Sequence, residues 1–404
     1  MRVGRWLSLK GEVVLIIRFL LTTLVFLVPL VAQEAQFSKG FDHFYNLEYD
    51  EAIAEFLNRI ERDPDNPERY NHLAQAILYR AMYRGGALES ELVTGNNSFL
   101  RRPQLRPGVE DQKRFEDAIQ RAMQLAQTRI GNNEKDLRAS YSLGVSHGIR
   151  ANYNFLVRKA WMDALRDATA ARKLHNRVSE LDPSMVDARL VQGAHDYVVG
   201  SLPWHIKMIG FLAGFRGDRE RGIRTLEMVA QKGVQNRVEA SILLAAIYRR
   251  ERRPGQAIPL LEDLVRRFPR NHLLRFEMVQ MYGDLGRKDE ALAVLRHMEE
   301  LKGKGAPGYR ELPSEKIHYS KGNILFWYND LESAVDNLKK ATSRAESLGT
   351  GTGGLAWMRL GQTYDLKGQR SLAVDAYKQA IQFAPESDAA KEARRYLSSP
   401  YRRS

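Results

Sequence analysis

Cysteine is absent from all 404 residues. That excludes disulfides, thiolate zinc sites, cysteine nucleophiles and lipid attachment through a thiol, so packing alone must hold the chain together. Proline is sparse, 14 in all, and falls mostly between segments of helical period. Strand-like alternation is missing. The nine histidines form no HExxH and no other metal-spaced pairing with carboxylates. The run "GTGTGG" (Gly349–Gly354) has no preceding strand and no following Lys-Ser/Thr, and is expected to be a turn between repeats rather than a phosphate loop. His195-Asp196 with His205 is the one local cluster that could carry acid–base chemistry. Its plainer reading is polar residues flanking a helix end. No catalytic, metal or cofactor residue is therefore expected.

What is present is a globular composition, 44% apolar and 27% charged, with a formal charge of +13 that favours anionic partners or surfaces. Part of that charge lies in "MRVGRWLSLKGEVVLIIR", where Arg2, Arg5, Lys10 and Arg18 stand against Glu12. The apolar run Phe19 to Ala32 follows. A basic start, an apolar core and then small residues fit a secretory signal over residues 1–32, cleaved near Ala32. Without that segment the balance is 58 Lys+Arg against 48 Asp+Glu, or +10. An uncleaved anchor over Val13 to Ala32 is the alternative, with Arg18 inside it, and would tie the chain to a membrane through its N-terminal segment. Either reading places the chain outside the cytoplasm, in the periplasm or envelope, and argues against a nucleic-acid partner.

From there the helical period dominates. In "LAWMRLGQTYDLKGQRSLAVDAYKQAIQFAP", Trp357, Leu360, Gly361 and Tyr364 fall on one helix and Ala373, Tyr377 and Ala380 on the next, with Pro385 beyond its end. Gly361 and Ala373 are small where two antiparallel helices cross closely, and Tyr364 and Tyr377 fill the gaps. Gly368 stands where the helix end wants a left-handed residue. The pattern returns at Leu244, Tyr248, Ala257, Leu261 and Pro269; at Tyr282, Gly286, Ala291 and Leu295; at Gly322, Ala334, Leu338 and Ala341; and at Gly40, Ala52, Phe56 and Pro64. The alanines at 257, 291, 334 and 373 are 34, 43 and 39 residues apart. These five stretches resemble the tetratricopeptide repeat, whose period is about 34. The resemblance implies an all-α fold: an α-α solenoid, a right-handed superhelix of antiparallel helix pairs. Overlong, irregular pairs are expected in the N-terminal half, Leu143-Gly144 marking a first helix there.

The expected organisation is a signal or anchor (1–32), an N-terminal helical block (33–196) with an inserted loop at about 86–108, an apolar connector (197–221), and a C-terminal array (222–404) ending in a capping helix. Loops as long as the insert are usually functional or disordered. In the connector, Leu202-Pro203, Gly214-Phe215, Gly217-Asp218-Arg219 and Gly222 resemble a segment of a divergent repeat family associated with the mitochondrial outer membrane and inclusion-body clearance. Pro203, His205 and Lys207 interrupt any membrane span. We expect a helix packed under both blocks through Trp204, Ile206, Ile209, Phe211 and Leu212. Asp218 is expected to cap the next helix, with Gly222 at its crossing. A helix lying on a membrane surface is the rival. "RRERR" (Arg249–Arg253) fits a solvated helix end that complements the dipole.

The repeat resemblance implies a concave face lined by first helices. By register, Phe276 and Gln280, then Tyr319, Asn323 and Phe326, then Met358, Arg359 and Gln362 point into it. Amides can bond an extended backbone and rings can anchor it, which suits a peptide or protein ligand; each residue is equally well read as ordinary helix surface. The function expected is a non-catalytic scaffold for protein–protein interaction in the cell envelope. The alternative is an envelope enzyme or accessory subunit whose site the sequence does not display.

Overall fold

The structure, a computed structural model, describes residues 39–88, 104–202 and 216–403. The expected signal or anchor, most of the inserted loop and the apolar stretch from Trp204 to Leu212 lie outside the described residues.

Helix starts carry local signals. Asn66 accepts from the Glu68 N–H at 3.0 Å, with Pro67 in the first turn. Asp136 accepts from Ala139, Asn271 from Leu273 and Leu274, and Ser387 from Ala390. Each satisfies a backbone donor that the helix itself leaves open. The result among the described residues is seventeen α-helices: α1 Lys39–Tyr45, α2 Tyr49–Arg62, α3 Pro67–Arg84, α4 Val109–Asn132, α5 Leu137–Tyr153, α6 Trp161–Leu181, α7 Arg189–Gly200, α8 Arg219–Lys232 and α9 Arg237–Arg250, then α10 Pro254–Arg267, α11 His272–Asp284, α12 Lys288–Gly303, α13 Ser314–Trp327, α14 Leu331–Thr342, α15 Gly349–Leu366, α16 Arg370–Phe383 and α17 Asp388–Ser398. The chain is an all-α solenoid of helix pairs. It divides into two units, one ending at Arg253 and one beginning at Pro254.

In the first unit α1 pairs with α2, α3 with α4, α5 with α6 and α7 with α8, and α9 packs on α8. The pairs α3–α4 and α5–α6 are the overlong ones, with second helices of 24 and 21 residues. The returning end of the insert is pinned, because Leu105 N–H donates to Leu156 O at 3.1 Å and Gln104 Nε2 to Val157 O at 2.5 Å. In the second unit α11 pairs with α12, α13 with α14, and α15 with α16, which α17 covers.

The small residues sit where the crossings need them. Ala52, Ala257, Ala291, Ala334 and Ala373 are fully buried. A Cβ at Gly40 would meet the Phe56 ring at 2.7 Å, at Gly322 the Leu338 side chain at 2.7 Å, and at Gly361 the Tyr377 ring at 2.5 Å. The tightest crossing is α7 on α8. There a Cβ at Gly222 would lie 2.4 Å from the Tyr197 nitrogen and 2.6 Å from Gly193 O. Asp218 caps α8, its carboxylate accepting from Arg221 N–H at 2.6 Å. Gly368 turns the chain after α15 with φ 73°.

One expectation fails. "GTGTGG" is not a turn but the start of α15. Ala345–Leu348 forms a 3-10 turn, and Gly349, at φ 73°, hands over to the helix. A Cβ at Gly353 would meet the Phe383 ring at 2.5 Å. The glycines therefore permit a close approach to the end of α16 at the cost of helix propensity.

Candidate interaction face

In the second unit, α11, α13 and α15 carry the residues expected to line a groove. Phe276 and Gln280 are half-buried on α11, and the Phe276 ring lies edge-on to His272. Arg359 is half-buried on α15. Its guanidinium lies 4.4 Å from the centre of the Phe326 ring and 4.8 Å from that of Trp327, and donates to Gln362 Oε1 at 3.0 Å. Phe326, Arg359 and Gln362 are thus brought together.

Others among the expected residues are not open. Phe326 is fully buried and joins Tyr319 and Met358 in the hydrophobic core. Neighbouring first helices touch along this flank, so an apolar side chain on it is buried between them. Gln362 is also buried. Asn323, 8% exposed, differs because its Oδ1 has no hydrogen-bond partner, nor has Ser320 Oγ one turn earlier on α13. Each such atom costs roughly 1–3 kcal/mol unless something arrives to satisfy it. Trp327, at the end of the same helix, is 55% exposed. Register reasoning did not single out Ser320 or Trp327. The run Phe326-Trp327-Tyr328 at a helix end was the available signal.

A further part of this face is covered by the chain itself. Beyond α17, Ser399 takes extended angles, and Tyr401 N–H donates to Asp365 Oδ2 at 2.8 Å. Arg403 donates to Phe326 O and, at 3.1 Å, to Asn329 Oδ1. Its guanidinium lies 5.0 Å from the Phe326 ring centre. The Tyr401 ring stands 6.0 Å from that of Phe326 and 5.4 Å from that of Tyr396. Asp365 is held independently by Arg370 at 3.0 Å and by the Tyr377 hydroxyl at 2.8 Å. Burial and then that carboxylate push the Tyr377 phenol well above its ordinary range.

The first unit treats the same face differently. Asn71 on α3 donates to Ser142 O and Oγ on α5 at 2.9 and 3.0 Å, and Ser146 Oγ returns a bond to Asn71 Oδ1 at 2.8 Å. Tyr45 on α1 donates to the buried carboxylate of Glu239 on α9. Asn236 Nδ2 donates to the Tyr141 hydroxyl at 2.9 Å. Burial, then the Glu239 charge, raises the Tyr79 phenol. These side chains fill the space between the first helices.

Both members of the His195-Asp196 pair are engaged by arginines, His195 Nε2 lying 3.2 Å from Arg172 Nη1. Arg221 on α8 grips Asp196 on α7 with two bonds of 2.7 and 3.0 Å. Burial alone would raise the Asp196 carboxyl, but the hydrogen bonds from His195 and Arg221 hold it below the usual range. Two arginine-bearing termini are tied in the same way: Arg253 to Glu220 at 2.9 Å and Arg219 to Glu251 at 3.0 Å. Among the described residues no three His, Asp or Glu side chains gather as a metal would need, and no helix is long and apolar enough to cross a membrane.

Two tetratricopeptide repeat models match the sequence, over residues 216–306 and 355–387. Among solved structures, yeast Tom70 aligns over 88% of this chain and 86% of its own, at 13% identity and a TM-score of 0.37. YrrB, described as a TPR protein with an unusual peptide-binding site, aligns over 67% of this chain and 97% of its own, at 15% identity and a TM-score of 0.33. No curated protein matches the sequence.

Proposed function

We propose, from the premise that the chain is built of tetratricopeptide repeats, that it is a scaffold which binds an extended segment of a partner protein across the first helices of residues 254–403. The repeats themselves support a protein–protein interaction role. The observation that favours this face is α13. Trp327 offers an exposed ring at its end, one turn after Asn323, whose buried Oδ1 has no hydrogen-bond partner. Half-buried Phe276, Gln280 and Arg359 extend the surface to α11 and α15. An extended peptide presents side chains to the exposed Trp327 ring and backbone groups to the half-buried Gln280 and Arg359.

The test is a photo-crosslinking amino acid placed at Gln280, at Trp327 and, as a control, at Leu372, which is 47% exposed on the second helix α16. We expect one partner band from Gln280 and Trp327, weakened by Asn323→Ala, and none from Leu372. Equal capture from all three positions would overturn the assignment.

The scaffold acts outside the cytoplasm and without catalysis in this reading. The basic-then-apolar start supports export, and a reporter fused after residue 60 should be exported, with the mature chain beginning near Gln33. A cytoplasmic reporter would contradict export, and full-length chain resisting carbonate extraction would replace cleavage by an anchor. The commitment of Asp196 to Arg221 supports the non-catalytic reading. Asp196→Asn should lower stability and abolish no turnover.

A further inference from the structure

The segment Ser399–Arg403 meets the face as a ligand would. It contributes one backbone donor, one ring and one guanidinium. Asp365 receives the Tyr401 N–H. The Phe326 carbonyl, which receives Arg403, belongs to the last turn of α13, where the helix dipole is negative and favours a cation. Asn329 Oδ1 supplies the second acceptor, and the Phe326 ring a stacking surface. The subsite is assembled without the segment: Arg370 and Tyr377 hold Asp365, and the core holds Phe326. Trp327 beside it stays 55% exposed, so a longer occupant has more apolar surface to cover than Tyr401–Arg403 does.

We infer that this corner of the 254–403 unit, formed by Phe326, Asn329 and Asp365, docks an extended partner segment of the pattern tyrosine–any residue–arginine, and that Tyr401–Arg403 occupies it in cis. The inference rests on the reading of this face as a peptide surface. A partner seated only around Asn323 and Gln280 would end this inference and leave that reading standing. A guanidinium serves here where an ammonium does not, because it offers a planar fork to two acceptors while stacking on a ring. Occupation in cis lowers the apparent affinity for a partner by the fraction of time the corner is free.

The probe is a fluorescein-labelled peptide with the sequence of residues 397–404, titrated by anisotropy into the full chain and into the full chain carrying Tyr401→Ala with Arg403→Ala. We expect the double variant to bind about tenfold more tightly than the unaltered chain, or better. In the peptide, alanine for the tyrosine or lysine for the second arginine should remove binding, and alanine for the first arginine should not. A scrambled peptide of equal charge should not bind. Equal binding by both chains, or none by a double variant whose helical circular dichroism is intact, would overturn the inference. If the double variant loses that signal, Arg403→Ala alone takes its place with the same two outcomes.

Discussion

In residues 39–253 several polar groups on the first helices answer one another across helices, Asn71 being bonded to Ser142 and Ser146 and Tyr45 to Glu239, while both ring nitrogens of His72 stay without a hydrogen bond inside the core. In residues 254–403 the same positions carry a tyrosine, phenylalanine and methionine core, two unanswered atoms on Ser320 and Asn323, and a corner filled by a segment from later in the chain. Both units use one hairpin with small residues at its crossing. The difference teaches that the repeat fixes how two helices pack and leaves the first-helix face free to become either interior or binding surface. A polar atom bonded internally, such as Asn71 Oδ1, gains nothing from a ligand, because displaced bonds must be replaced.

The comparison can be strained first at the crossings. Gly222→Ala should cost about 3 kcal/mol or more, since its Cβ would strike the backbone of Tyr197 and Gly193, which cannot yield. Gly361→Ala should cost about 1–2 kcal/mol, since the obstacle is the Tyr377 ring and a side chain can shift. Urea unfolding of the two variants checks the order; equal losses would mean that the α7–α8 crossing is looser than described.

Acid separates the units next. His72 and His175 in the first are completely buried, and burial lowers both, His175 to about 3. His272 in the second is lowered by burial to about 4. A folded pKa below the unfolded value means that the unfolded chain binds the extra proton. The stability is therefore full above about pH 6.5 and declines as pH falls below it, by about 1.4 kcal/mol per unit for each histidine. Two such groups against one make the first unit lose stability about twice as steeply between pH 6.5 and 5. Glu68, raised by burial, works in the opposite direction and trims that excess. Native-state hydrogen exchange on α3 and α6 against α11, corrected for intrinsic rates, reads the two slopes. Parallel slopes would contradict the contrast.

Smaller effects follow. Tyr45→Phe removes a donor from a buried carboxylate and should cost roughly 1.5–3 kcal/mol, read as a lower melting temperature. Trp327→Ala should cost about 1 kcal/mol or less, because the ring is half in water, yet should weaken partner capture at Gln280. A large loss of stability without a change in capture would make Trp327 a packing residue.

These cases also mark what the sequence displayed. Gly361 opposite Tyr377, Asp218 as a cap and Gly368 as a left-handed turn were legible, since each depends on neighbours within one hairpin. The start of α15 was not, because glycines signal a turn unless a close neighbour is known, and Phe383 lies some thirty residues away from Gly353. Helical register put Phe326, Arg359 and Gln362 on one face, but it did not show that Phe326 and Gln362 are buried there. Phe326 is stacked by Arg403 and by Arg359. Those are contacts between distant segments, and periodicity carries no record of them.

Hydroxyl-radical footprinting of the full chain, alone and with the partner captured at Trp327, tests the contrast between the two faces most directly. The account predicts that Trp327 and Phe276 are oxidised in the free chain and protected in the complex, while the buried Tyr45 and Tyr141 stay unreactive in both. Reactive Tyr45 and Tyr141 that become protected when the partner binds, with Trp327 unchanged, would place the binding face in residues 39–253 and contradict it.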